Sequence, residues 1–114
     1  MLSAKYRLKN KAAFNYVYKK GKSAASKNFI LIYSPTKYPM RIGFSASKKV
    51  GNSVQRNRAK RLMRESFRVY IDSVNSTNNY VMIARSAIID ASYADLVAEL
   101  ASILKRNSLM RETD

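Results

Sequence analysis

Seven cations, Lys48, Lys49, Arg56, Arg58, Lys60, Arg61 and Arg64, fall within seventeen consecutive residues that contain no acid. At that density the side chains repel one another unless counter-ions or phosphates neutralise them. A face built only for solubility would mix Glu with Lys, so the chemistry indicated is polyanion binding. The imbalance is regional. Residues 1–70 carry 18 Lys and Arg against the single acid Glu65, a net of +17, whereas residues 71–114 carry four basic and six acidic residues, a net of −2; together they give +15. Protein-borne catalysis has little to work with. The absence of His removes imidazole general bases, Ser-His-Asp and Cys-His nucleophiles and His-metal sites, and the absence of Cys removes thiolate zinc sites and disulfides.

Advancing about 100° per residue from Arg56 places Arg56, Asn57, Lys60, Arg61, Arg64 and Arg68 within an arc of about 140° on one helix. Ala59, Leu62, Met63, Ser66, Phe67, Val69 and Tyr70 occupy the other side. Burying the guanidinium groups would cost too much desolvation, so the stripe must face water or phosphate. Arginine offers planar bidentate donors to phosphate oxygens. Asn57 has two readings at this level: an uncharged group that reads a sugar or base edge, or a local cap near the helix start. Arg58 lies off the main stripe.

The positioning elements follow from periodicity and punctuation. Asn10 as N-cap and Gly21 as C′ residue bracket a short helix bearing Phe14, Val17 and Tyr18 at helical spacing, preceded by a basic arm from Lys5 to Lys11. Asn28 to Ser34 and Met40 to Ser47 read as strands joined through Pro35-Thr36-Lys37-Tyr38-Pro39, which predicts an antiparallel hairpin. The basic helix starts near Asn52-Ser53 and runs to about Ile71. A polar loop from Asp72 to Asn79 leads into a strand over Tyr80 to Arg85, and Ser92 with Asp95 forms a capping-box signature before a final amphipathic helix. An apolar and aromatic share of 46% suits one compact domain over residues 1–114, an α+β fold with helices on a small mixed sheet. The longest apolar runs, Phe29 to Tyr33 and Tyr80 to Ala84, are too short to span a membrane, and the expected compartment is the cytoplasm.

On the strands, Ile30 and Ile32 share a face with small residues of the neighbouring strand, Gly43, Ser45 and Ser47. Phe14 and Tyr18, one helical turn apart, could wall the resulting trough. Aromatics beside a basic surface suit single-stranded RNA, whose unstacked bases gain stacking on rings while its phosphates follow the cations. Plain core packing remains the competing reading of both aromatics. Tyr6, Tyr16, Tyr38 and Tyr93 receive no role.

The segment Phe44 to Phe67, FSASKKVGNSVQRNRAKRLMRESF, resembles the signature of the bacterial ribonuclease P protein subunit. The resemblance extends to the basic arm and aromatic helix ending at Gly21, the Phe29 strand, the Gly43 strand, and Tyr80 to Arg85. It implies an order α-β-β-β-α-β-α with about four strands and a left-handed βαβ crossover, as in folds like ribosomal protein S5 domain 2. It also implies a subunit that binds a catalytic RNA and promotes endonucleolytic removal of the 5′ leader of precursor tRNA. The chemistry then belongs to the RNA with its Mg2+, no cofactor is held by protein side chains, and neither a membrane nor another protein is required. Carried over by position, Lys48, Lys49, Arg56, Asn57, Arg58, Lys60, Arg61, Arg64 and Arg68 contact the catalytic RNA, and Phe14, Tyr18, Ile30, Ile32, Ser45 and Ser47 line the leader cleft. Tyr18 stands where a Phe is common in this family, and Ile32 where some members carry a Tyr. A ribosomal-type RNA-binding module would explain the charge and the basic helix equally well, but would not need the trough. A helix-turn-helix DNA reader fits less well, because a strand precedes the basic helix.

Overall fold

The structure is a computed structural model that describes residues 4–8 and 10–111. Lys9, within the expected basic arm, lies outside the described residues. The elements run α1 (Lys11–Lys20), β1 (Lys22–Ala25), β2 (Phe29–Pro35), β3 (Ile42–Ser45), α2 (Ser53–Val69), β4 (Asn78–Ala84) and α3 (Tyr93–Arg106), with a 3-10 turn at Ser86–Asp90. Among the described residues no helix is long and apolar enough to cross a membrane.

The four strands lie in the order β1-β2-β4-β3, so the expected hairpin between the Phe29 and Gly43 strands does not form. Instead β4 lies between them, antiparallel to β2 over Phe29↔Ala84 to Pro35↔Asn78 and parallel to β3 over Ile42↔Tyr80 to Ser45↔Ile83. The physical reason is burial. Tyr80, Val81 and Met82 are fully buried, their side chains pointing alternately to the two faces, and a strand apolar on both sides belongs in the middle of a sheet. The hairpin that does form joins β1 to β2 through the turn at residues 26–28, where Ser26 N–H donates to Phe29 O at 2.9 Å.

Alternation divides the sheet into two faces. Phe29, Leu31, Ile42, Tyr80 and Met82 meet Ala59, Met63 and Phe67 of α2 in the main core, to which α3 adds Leu96, Leu100, Ile103 and Leu104. Phe67 is its aromatic hub, its ring 5.5 Å from Tyr80 and edge-on to Phe44 at 6.4 Å. Ser66, buried on the same side of α2, donates its hydroxyl to Met63 O at 2.9 Å. Val69, expected on this face, is exposed because the helix ends there. Burial pushes the Tyr80 phenol up to about 12, so it stays neutral and donates to Asn75 O at 2.6 Å, holding the loop that enters β4.

The opposite face holds a smaller cluster in which Leu8, Val17, Ile32 and Val81 are buried and Phe14, Ile30 and Ile83 are partly covered. Its roof is α1, with Leu8 of the preceding segment packed beside it. Asn10 caps that helix, accepting from Ala13 N–H at 2.7 Å. Gly21 ends it with φ −83°, not in the left-handed conformation expected of a C′ glycine. Its lack of a side chain serves close approach, since a Cβ there would stand 2.6 Å from Ile32 Cγ2.

One carboxylate links the β1–β2 turn to α3. Glu99 accepts from Asn28 N–H at 2.8 Å, from Asn28 Nδ2 at 2.7 Å and from the Ser26 hydroxyl. Asn28 is buried. Removing the acceptor leaves its donors without partners, so Glu99→Ala is expected to destabilise the fold by about 3 kcal/mol in urea unfolding, with Glu99→Gln costing less. A loss below about 0.5 kcal/mol would show that this tie contributes little.

Candidate RNA interface

The cap of the basic helix is Asn52, not Asn57. Asn52 Oδ1 accepts from Gln55 N–H at 2.9 Å while Gln55 Oε1 accepts from Asn52 N–H at 2.9 Å, a reciprocal capping box. Asn57 is thereby released from the capping role and lies exposed within α2, beside a groove of about 530 Å3 lined also by Lys60, Arg61, Arg64 and Glu65. The groove is a concave, positively charged surface with a neutral amide at its wall. Arg64 is steadied by the sheet, its guanidinium carbon 5.9 Å from the centre of the Phe44 ring. Arg56 is half-buried, and its Nε has no acceptor among the described residues, so the guanidinium retains unused donor capacity at the helix start.

Two of the α2 arginines, Arg68 on the stripe and Arg58 off it, are engaged with the protein itself. Arg68 lies 3.7 Å from the carboxylate of half-buried Glu65, a pair on the helix surface worth a fraction of a kcal/mol. Arg58 points away from the others, donating through Nη2 to Ala91 O at 3.2 Å, and so braces α2 against the segment before α3. Lys48 and Lys49 extend the positive surface along the exposed turn between β3 and α2. Ser47 belongs to that turn: it lies beyond the end of β3, is exposed, and its hydroxyl accepts from Lys49 N–H at 3.3 Å.

The trough lies on the other face of the sheet, with more members than sequence spacing supplied. Register aligns Ile30, Ile83 and Ser45 in one row and Ile32, Val81 and Gly43 in the next. The floor therefore includes Val81 and Ile83, which the expected hairpin left out. Their alternation with Tyr80 and Met82 was visible in the sequence, but the position of β4 was not. Over the second row sits Phe14. A Cβ on Gly43 would stand 2.5 Å from the Phe14 ring, so glycine is what lets that ring rest on β3. Tyr18 follows one turn later, its ring centre 6.2 Å from Phe14 and inclined by 53°. Phe14 is half-buried and Tyr18 is 38% exposed, so these rings are packed on one side and open on the other. Of the six expected cleft residues, Phe14, Tyr18, Ile30, Ile32 and Ser45 share this face, and Ser47 does not.

Stripe and trough meet through β3, where Phe44 faces α2 beneath Arg64 and Ser45 faces the trough. The arrangement can neutralise phosphates on one side of the sheet and stack unpaired bases on the other. Among the described residues no group of three or more Asp or Glu side chains converges to hold a metal ion.

A family model described as Ribonuclease P matches residues 2–108. The chain is similar to the ribonuclease P protein component of Nitratiruptor sp., 46% identical over 99 residues, covering 87% of this chain and 89% of that protein. It is 42% identical over 109 residues to that of Clostridium kluyveri, covering 93% and 97%. Among solved structures, the RNase P protein of Staphylococcus aureus superposes with a TM-score of 0.83 at 34% identity, covering 93% of this chain and 98% of that one. That of Thermotoga maritima does so with a TM-score of 0.78 at 26% identity, covering 88% and 96%.

Gly51 sets the start of the stripe. Its φ of 146° disfavours any side chain, and a Cβ there would collide with Gln55 Oε1, the acceptor in the capping box. Gly51→Ala is expected to lose about 1–3 kcal/mol of stability and to increase hydrogen exchange over the first turn of α2. Wild-type exchange in that turn would contradict this role.

Proposed function

Because the chain belongs to the ribonuclease P protein family, we propose that it binds the catalytic RNA through the α2 stripe and holds the single-stranded 5′ leader of precursor tRNA in the trough under α1. The observation that carries this reading is the placement of a basic stripe and an open aromatic trough on opposite faces of one sheet. Arg56, Lys60, Arg61 and Arg64 supply charge and directed donors to phosphates, with Lys48, Lys49 and Arg68 extending the contact. Asn57 adds a neutral donor and acceptor for a ribose or base edge. Arg58 takes part only if it leaves the Ala91 carbonyl.

In the trough, Phe14 and Tyr18 offer ring faces to unpaired leader bases, Ile30, Ile32 and Ile83 supply the apolar floor, and Ser45 offers a hydroxyl. Phosphodiester hydrolysis is assigned to the RNA and its Mg2+. This chain binds and positions, which lowers the cost of bringing precursor to the reactive site and favours leader-bearing over mature tRNA. The reading places it in the cytoplasm and invokes no further protein. A ribosomal-type module would need the stripe but would leave the trough without purpose.

The test is cleavage of precursor tRNA at low magnesium by a bacterial ribonuclease P RNA with and without this protein, alongside the protein alone. Stimulation only when both are present is expected. Affinity for the RNA should fall by about four log units per log unit of salt if about five cations contact phosphates. Tight, salt-sensitive binding without stimulation would favour the ribosomal-type module, and a nearly flat salt dependence would remove the stripe as a phosphate-binding face.

A further inference from the structure

The α1 helix forms a ridge across its face of the sheet, and the trough occupies only one flank. Phe14 and Tyr18 project to that flank, Val17 points down at the sheet, and Ala13 and Tyr16 project to the other. On this second flank, at the Pro35↔Asn78 end of the β2–β4 pair, lies a pocket of about 660 Å3. Its lining includes Tyr16, Pro35, Thr36, Lys37, Tyr38 and Asn79. Two tyrosines with no place in either core supply its aromatic surface, Tyr16 at 57% and Tyr38 at 70% exposure. Asn79 shares the α1 face with Val81 and Ile83. Its Oδ1 accepts from Arg41 N–H at 2.8 Å, which fixes the amide, and its Nδ2 has no acceptor among the described residues. Lys37 Nζ lies 5.9 Å from the centre of the Tyr38 ring, a cation at the rim beside the aromatic surface.

We propose that this pocket binds an unpaired base of the precursor's leader beyond the segment held in the trough, with Tyr16 and Tyr38 stacking on the base, Asn79 Nδ2 donating to its edge and Lys37 meeting the adjoining phosphate. Two ring faces, one directed donor and one cation match what a nucleotide offers: a flat π surface, acceptors on its edge and an anion next to it. The volume lies within the range of small-ligand sites. The source follows from the two faces. The α2 stripe is on the opposite side of the sheet, so an RNA strand that reaches Tyr16 and Tyr38 is the one already lying on the α1 face. The proposal rests on the leader reading of the trough and extends it across the ridge.

The test uses holoenzyme reconstituted from the full chain and a bacterial ribonuclease P RNA, with precursors whose leaders either end within the trough or continue well past it. Tyr16→Ala and Tyr38→Ala are expected to weaken binding of the long-leader precursor roughly tenfold, the effect of losing one stacked base. The short-leader precursor and mature tRNA should bind as to wild type, and Tyr16→Phe and Tyr38→Phe should retain wild-type affinity. An abasic scan of the long leader should find a distal position where losing the base weakens wild type but not the Tyr16→Ala variant. Equal losses for every leader length, or none for any, would overturn the proposal. Phe14→Ala separates the two levels. If it alone gives a leader-dependent loss, the trough stands and the second pocket fails; if it gives none, the leader reading fails and this proposal falls with it.

Discussion

The insertion of β4 between β2 and β3 is the constraint from which the rest of the molecule follows. Its central residues are buried toward both faces, so it must lie inside the sheet with helices on each side. Running parallel to β3, it requires a connection across the sheet, and α2 is that connection. The most basic segment of the chain is therefore also a core element. Its apolar side is fixed by Phe67 among Phe44 and Tyr80, and its charged side has nowhere to go but outward.

The same insertion builds the trough. A β2–β3 hairpin would set Ile30 and Ile32 directly beside Ser45 and Gly43. With β4 between them, Val81 and Ile83 widen the floor by one strand, and α1 is left to cover a broader face than ten residues can close. Glycine at position 43 lowers Phe14 onto β3, and the uncovered remainder opens on either flank of α1. One face of the sheet thus serves stability and displays cations through the far side of α2, while the other is only partly roofed and leaves rings available to ligands.

Much of this was legible in the sequence because it depends on local signals. The helix caps at Asn10 and Ser92, the start of α2 near Asn52, the α2 stripe and the alternation of the strands all arise from interactions within a few residues, and the structure places them as expected. Strand order does not. The Pro35 to Pro39 segment carries turn chemistry that suggests a hairpin, and nothing local shows that a strand more than thirty residues later displaces β3 from β2. Only that strand order brings Val81 and Ile83 beside Ile32 and Ile30. The two readings of Asn57 could be separated only by seeing Asn52 and Gln55 complete the cap, and the engagement of Arg58 with Ala91 depends on a contact between α2 and the segment before α3. Tyr16 and Tyr38 carried no periodic signal at all, because they come together only when β2 and α1 are in place.

The central claim is that the sheet separates two RNA-binding faces that act independently. The most direct measurement combines Lys60→Ala with Arg64→Ala on the stripe, Phe14→Ala in the trough, and all three together. For each, one measures affinity for the catalytic RNA and the preference of the assembled complex for precursor over mature tRNA. The account predicts that stripe substitutions weaken RNA affinity with the preference kept, that Phe14→Ala lowers the preference with RNA affinity kept, and that the effects add in the combination. A loss of catalytic-RNA affinity in Phe14→Ala as large as that of the stripe variant would contradict it, because a single continuous surface would then be binding a single RNA.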